Sequence, residues 1–511
     1  MFLKGKKMDK SNQALQTKYP HLEVSVLKLS EVKKDNESFR IDAEYFKKEY
    51  LEIEKLLLTN AHIILGEEYD ISKLAGFEFT EYFTESSMSS TNSYIALTSK
   101  NIQNNILDLT DTITIDKTIA DEFLQRSKIY KNDIILSYTG EYRRSLVIQD
   151  RQVFQLGPNV CRIRQIKKQV NPYFVSIFLN SEIGQTILNK EKTLSAQPTI
   201  AMSRIRKLPI PLLPMSFQLE IEKLVKDSHK ALESSKALYK EAEALLYEAL
   251  GLDSKNPLQS ILHSYYESLP YRSNQNENSV DAKSNQIPNY TIATIKESFL
   301  KTGRLDAEYY QSKYEDIERF IKNYGYITLQ DLEIQDKNYT PKQEKQYHYI
   351  ELANIGSNGN ISTPTQDFGK NLPTRARRIV KEGDVIISSI EGSLSSCALI
   401  TKEFDSCLVS TGFYVLRSKH INGETLLVLF KSEIFQDYLK KFPSGTILSA
   451  ISKEELQNIL IPKIDSTTQA QIATYIQKSF ELRAEAKKLL ESAKAEVESA
   501  LNNANNGGGG G

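Results

Sequence analysis

Advancing 251 residues from Ile221, Ser228, Ser235, Ala242 and Ala249 reaches Ile472, Ser479, Ala486, Ala493 and Ala500, a second heptad series of similar residue sizes. Both series lie in stretches free of Pro and Gly. Sustained seven-residue spacing is the pattern of one helix packing along another. A second seam, Leu224, Ala231, Leu238 and Leu245, flanks the first copy, and Tyr475, Leu482 and Leu489 flank the second. Small residues at one heptad position let two backbones approach closely. The chain is therefore expected to form two long helices that pair with each other as an antiparallel coiled coil.

The helices end a longer duplication, which a search for internal repeats finds over nearly the whole chain. Phe39 to Leu57 matches Gly303 to Ile321. Within these segments Arg40, Asp42, Ala43, Glu44, Tyr45 and Tyr50 return as Arg304, Asp306, Ala307, Glu308, Tyr309 and Tyr314. Each copy opens on an Asp-led amphipathic helix. A Tyr-Ile strand running into an Asn-rich turn follows at Tyr94 and at Tyr349, and a buried strand with a polar Gly-containing loop at Lys131 to Ile148 and Glu382 to Ile400. The expected organisation is a globular domain (20–212), a long helix (213–250), a polar linker (251–289), a second globular domain (290–463), a second long helix (464–501) and a disordered tail (502–511). The fold class is mixed α/β (α+β), with internal pseudo-two-fold symmetry. The Gly run at the end reads either as an added tail or as a gene-encoded tract prone to slippage.

Composition narrows the function. In 511 residues, 65 Lys and Arg balance 65 Asp and Glu, which argues against indiscriminate polyanion binding by the whole surface. No apolar run approaches the ~20 residues of a membrane span, so no membrane partner and a cytoplasmic location are expected. Cys161, Cys397 and Cys407 lack metal-site spacing and read as buried thiols. Phosphate-loop, dinucleotide, zinc-hydrolase and nucleophile-elbow motifs are missing, so neither catalysis nor a cofactor is expected. Asn171-Pro172-Tyr173-Phe174 lacks the second proline of the amino-methyltransferase motif and reads as a capped helix start.

Charge is concentrated where the repeats diverge. Between Arg126 and Lys168, ten basic residues stand against three acids, a surplus of seven. Lys370, Arg375, Arg377, Arg378 and Lys381 form a weaker counterpart. Arg is suited to phosphate contacts and to bidentate reading of guanine. The candidate DNA-binding residues are Tyr138, Thr139, Glu141, Arg143, Arg144 and Gln197 in the first domain and Arg375, Arg377, Arg378, Ser389, Glu391 and Ser393 in the second.

Taken together, the Arg-x-Asp-Ala-Glu-Tyr openings, Asn101-Ile102 and Asn354-Ile355, and the strands beginning at Asp133 and Asp384 resemble the specificity (S) subunit of type I restriction-modification systems. Ser195-Ala196-Gln197-Pro198, Leu208-Pro209-Ile210-Pro211 and Gln218 with Ile221 extend the resemblance into the first helix. The second copy keeps only Pro462 and Gln469 with Ile472. The resemblance implies a non-catalytic subunit with two target recognition domains that bind a bipartite double-stranded DNA target. It also implies recruitment of two methyltransferase (M) subunits, with restriction (R) subunits as optional further partners. Methylation and cleavage would belong to those partners. Thirty-five helical residues span roughly 50 Å, about one and a half turns of DNA, so the helices could act as a ruler. Two alternatives stand beside this reading: the specificity component of a related system with a fused modification and cleavage partner, and a coiled-coil scaffold joining two protein-binding domains.

Overall fold

The computed structural model describes residues 15–24, 27–33, 36, 40–103, 105–140, 144–261, 294–296, 298–335, 337–356, 358–445 and 449–507. The chain forms two compact units, Met1–Ala231 with Ala484–Gly511, and Leu232–Arg483. The unit boundaries thus fall inside both long helices, so each unit contains part of each helix.

The first unit holds two four-stranded sheets. One runs Ile113–Asp116, Ser93–Leu97, Phe154–Leu156, Lys128–Ile129, and the other Tyr69–Lys73, Val160–Gln165, Ile134–Ser137, Ser145–Val147. In the second unit the orders are Thr365–Phe368, Gln346–Ile350, Leu408–Ser410, Ala376–Ile379 and Glu333–Gln335, Phe413–Arg417, Val385–Ser388, Cys397–Leu399. The topology is duplicated strand for strand. Even the single parallel pairing of the first unit's four-stranded sheets, Ser93–Leu97 with Phe154–Leu156, returns as Gln346–Ile350 with Leu408–Ser410. Ile134–Ser137 and Val385–Ser388 are buried along their whole length, which explains their unbroken apolar runs. Cys161, Cys397 and Cys407 are buried free thiols. Burial pushes the Cys161 and Cys397 thiols up to about 12.

Repeated motifs turn out to be repeated clamps. Arg40 forks onto Asp42 at 2.8 Å and donates to the Lys192 carbonyl at 2.8 Å. Arg304 does the same with Asp306 and with the carbonyls of Phe442 and Pro443 at 3.0 and 2.8 Å. In both copies this guanidinium hydrogen bond holds the carboxyl below its ordinary range. Gln218 accepts from the Asn171 amide at 2.7 Å and donates to the Leu213 carbonyl at 2.7 Å. Gln469 repeats this with Asn422 and Ile464, both at 2.9 Å. Asn171 also caps its helix by accepting from the Tyr173 amide at 2.8 Å, so the Asn-Pro-Tyr-Phe stretch is a helix start.

The Asp heading each buried strand is a third clamp. Asp384 is fully buried, takes two bonds from Arg417 at 2.6 and 2.8 Å, and accepts from the Lys381 amide at 2.8 Å. Asp133 makes the same set with Arg164 and the Tyr130 amide. Breaking a buried pair costs about 3–5 kcal/mol. The Arg417 side chain is 35% exposed, which lets water recover part of that. Asp384→Ala is expected to cost about 2 kcal/mol, read as a lower denaturant midpoint of the full chain. A midpoint within error of wild type would refute a stabilising role for the pair.

The long helices span Met215–Ala249 and Ser466–Gly507. The second continues past the expected end at 501, and 508–511 lie outside the described residues. Their pairing is antiparallel, and it is pinned by serine. In the first unit Ser228 Oγ donates to the Ala486 carbonyl at 2.8 Å; in the second Ser479 Oγ donates to the Ser235 carbonyl at 2.8 Å. Ile221, Ser228, Ser235, Ala242, Ile472, Ser479, Ala486 and Ala493 are all buried.

Three details differ from the expectation. Ala249 and Ala500 are only half-buried. At those ends Leu246 and Leu250, and Val497 and Leu501, enter the cores at four-residue steps, because there the helix packs on a globular unit and a straight 3.6-residue period prevails. The buried mates of the main seam are Val225, Leu232, Tyr239 and Leu246, one residue beyond the expected Leu224 series, of which Ala231 is buried and Leu224, Leu238 and Leu245 are half-buried. The expected linker also begins too early, since Leu252 and Ile261 belong to the second unit's core; residues 262–289 lie outside the described residues. Among the described residues no helix is long and apolar enough to cross a membrane.

Candidate nucleic-acid interface

In the first unit, the chain leaving Ile134–Ser137 pairs with the segment after Gln197. Tyr138 donates its amide to the Asn159 carbonyl at 3.2 Å, Ile200 donates to the Tyr138 carbonyl at 2.9 Å, and Gly140 donates to the Pro198 carbonyl at 3.0 Å. The fold thus brings Tyr138, Thr139 and Gln197 together, although they lie far apart in sequence. Their surfaces differ. Thr139 is 8% exposed and Tyr138 packs on the core, where burial raises its hydroxyl, whereas Gln197 is exposed. Glu141 and Arg143 lie outside the described residues. The Arg144 carbonyl accepts from the Ser137 amide and its amide donates to Ser137 Oγ, both at 2.9 Å, and Arg144 lines one wall of a cleft of about 340 Å³ whose other wall is the 99–111 loop.

The second unit repeats the arrangement. Ser389 donates its amide and hydroxyl to the Gly412 carbonyl at 2.9 and 3.0 Å, Ile451 donates to the Ser389 carbonyl at 2.8 Å, and Glu391 donates its amide to the Ser449 carbonyl at 3.1 Å. Glu391 is exposed, and Ser393 bonds Ser388 Oγ at 2.8 Å. Arg375 reaches the same place: its carbonyl accepts from the Thr411 amide at 2.8 Å, and its exposed side chain lies 3.6 Å from Glu351. Arg378 bonds the Phe413 carbonyl. Arg377 points elsewhere, bonding the Thr374 carbonyl at 2.8 Å and Thr340 Oγ1 at 3.2 Å.

The basic surplus between Arg126 and Lys168 largely dissolves. Arg126 pairs with Glu78 at 2.6 Å, Lys128 with Asp121, Arg162 with Asp70, Arg164 with Asp133 at 2.7 Å and Lys167 with Glu68 at 3.3 Å. Four of those acids come from outside the window. Arg162 is itself 3% exposed, so it serves the sheet and not a ligand. Lys131, Arg151 and Lys168 remain exposed, with no ion pair among the described residues.

Reading the sequence by charge overlooked the 99–111 loop. Buried Asn101 staples it, accepting from the Thr98 amide at 2.8 Å and donating to the carbonyls of Asp108 and Asp111 at 2.8 and 2.9 Å. Asn354 staples the matching loop, accepting from the Glu351 amide at 2.8 Å and donating to the Thr363 carbonyl at 3.2 Å. The repeated Asn was the available signal.

The family model for the type I restriction modification DNA specificity domain matches residues 321–494. The specificity subunit of the type I restriction enzyme EcoBI of Escherichia coli is 29% identical over 119 residues, which cover 23% of this chain; the match spans a quarter of that relative's length, 25%. Similar solved structures include the S subunit of a type I restriction-modification system from M. genitalium, at 14% identity and a TM-score of 0.37, covering 86% of this chain and 94% of that one. The HsdS subunit from Thermoanaerobacter tengcongensis is 15% identical with a TM-score of 0.25, covering 86% and 96%. Residues 321–494, in the second unit and the helix that follows it, therefore carry the type I restriction modification DNA specificity domain, and the first unit repeats the second unit's sheets strand for strand.

Proposed function

We propose that this chain is the specificity subunit of a type I restriction-modification system, which reads a bipartite duplex target, one half-site per unit, and recruits two methyltransferase subunits while performing no chemistry itself. The observation that carries the reading is the duplication of fold and loops together: 138–140 on 198–200, and 389–391 on 449–451. Two copies of one reading scaffold suit two half-sites and two copies of one partner. Exposed Arg375, Gln197 and Glu391 are side chains able to reach base edges, since Arg addresses guanine, Gln adenine and Glu cytosine. Restriction subunits would join through the same assembly.

The test is the host methylome with and without the gene. A motif of two short blocks separated by an unread spacer should vanish on deletion. A motif that persists, or one continuous block, would overturn the proposal. Arg375→Ala, assayed in the complex with the modification subunit, is expected to cost about 1–3 kcal/mol of discrimination at one position of one half-site. Equal weakening on all sequences would instead assign Arg375 to a phosphate.

A further inference from the structure

The cleft beside Arg144 has the wrong chemistry for a phosphate and the right chemistry for a base edge. Lys100, Gln103, Thr110 and Arg144 can donate, while Asp108 and Asp111 can only accept when ionised. A phosphate cradle needs cations and amides, and carboxylates in it would repel the ligand. A base edge presents donors and acceptors side by side. Lys100 and Asp111 already neutralise each other at 2.9 Å while remaining 76% and 72% exposed. Gln103 is exposed, and its amide is oriented. Its Nε2 donates to Asp108 Oδ2 at 3.2 Å and, in a long contact of 3.5 Å, to the Lys100 carbonyl, leaving Oε1 without a partner among the described residues. The Nε2 hydrogen held only by that long contact is readily exchanged for a ligand acceptor, and with the open Oε1 it makes the donor and acceptor pair that adenine N7 and N6 require.

Both walls of the cleft are held from beneath by one residue. Asn180, at the end of the helix Pro172–Asn180, accepts from the Ser145 amide at 2.9 Å, donates to the Ser145 carbonyl at 2.8 Å, and bonds Asn105 Oδ1. It therefore ties the chain just after Arg144 to the tip of the hairpin Ile102–Gln103 with Ile106–Leu107. In the second unit the matching position is Lys431, 251 residues on. Its ammonium donates to the Gly356 carbonyl at 3.0 Å and the Ser395 carbonyl at 2.6 Å, tying the Asn354 loop to the loop after Val385–Ser388. The side chain has changed from amide to ammonium while the bridge between the same two loops is kept. Retention of a bridge across such a change points to loop spacing as its purpose.

We infer that Gln103 reads an adenine in the half-site of the first unit, and that Asn180 and Lys431 are positioning residues that set the spacing of the two reading loops in their respective units. This rests on the subunit's reading of DNA proposed above. The experiment is selection of bound sequences from a randomised duplex library by the full-length chain with its modification subunit. Gln103→Ala is expected to reduce preference for adenine at one position by roughly 5- to 100-fold, with the other half-site and the salt dependence unchanged. Gln103→Glu should move that preference towards cytosine, whose N4 amine a carboxylate accepts.

Asn180→Ala should alter the same half-site as Gln103→Ala without changing affinity for unselected DNA, and Lys431→Met should alter only the other. A merely structural bridge would lower stability and affinity for every sequence alike. An unchanged adenine preference in Gln103→Ala would overturn the assignment, and since Gln103 is exposed, that test does not depend on how well the Asn180 variant folds. A wild-type complex that selects no motif would instead overturn the reading of DNA itself.

Discussion

Two alanines inserted after Ser235, in the first long helix alone, are expected to abolish cooperative folding of the second unit. Two residues advance a helix by about 200°, so every residue beyond the insertion turns to the opposite face. Those residues include Tyr239, Leu246, Tyr247 and Leu250, which are 7%, 0%, 3% and 5% exposed and belong to the second unit's core. At about 1.5–3 kcal/mol for each large apolar side chain, their exposure removes roughly 6 kcal/mol or more. That is comparable to the entire stability of a typical domain. The Tyr247 hydroxyl would also leave the Glu433 amide, from which it accepts at 3.1 Å. Thermal unfolding followed by circular dichroism checks this directly. A cooperative transition at the wild-type midpoint would show that the helix face does not matter.

Seven residues inserted into both helices should have the opposite character: folding kept, target changed. The observed pairing determines where they go, between Ser228 and Ser235 and between Ser479 and Ala486, so that both serine-to-carbonyl rungs survive. A heptad returns to within about 20° of the same face and adds about 10 Å of helix between the rungs. Along DNA at about 3.4 Å per base pair this corresponds to roughly three pairs. In the complex with the modification subunit, the methylated motif is expected to keep both half-sites while its spacer grows by about three pairs. A folded, active variant with an unchanged spacer would remove the helices from the measurement of target length.

Much of this was legible because it is local or periodic. The heptad series from Ile221 and Ile472 requires two helices wherever the rest of the chain goes, because one face of each must be covered. The duplication was legible for the same reason, and it predicted two units of one topology. The repeated Arg-x-Asp and Asp384 motifs could be recognised, but not understood, from sequence, whereas Asn171 was legible as a helix cap. Arg40 looks like a ligand-binding cation until the Lys192 carbonyl is found against it.

What tertiary structure alone decided was who meets whom. The basic surplus around Arg126 to Lys168 counted only neighbours in the chain, while Glu68, Asp70, Glu78 and Asp121 were brought to it by the fold and neutralise most of it. Likewise the mate of the main seam runs through Val225, Leu232 and Tyr239, with Ala231 buried beside them but Leu224 and Leu238 only half-buried, because side-chain direction and the partner helix together choose between three- and four-residue steps. The cleft between Gln103 and Arg144, and the Asn180 bridge beneath it, have no signature in any window of sequence. Periodicity and repeats are written along the chain and survive in one dimension. The pairing of charges and the convergence of loops depend on contacts between distant segments, which arise only when the sheets close over a common core.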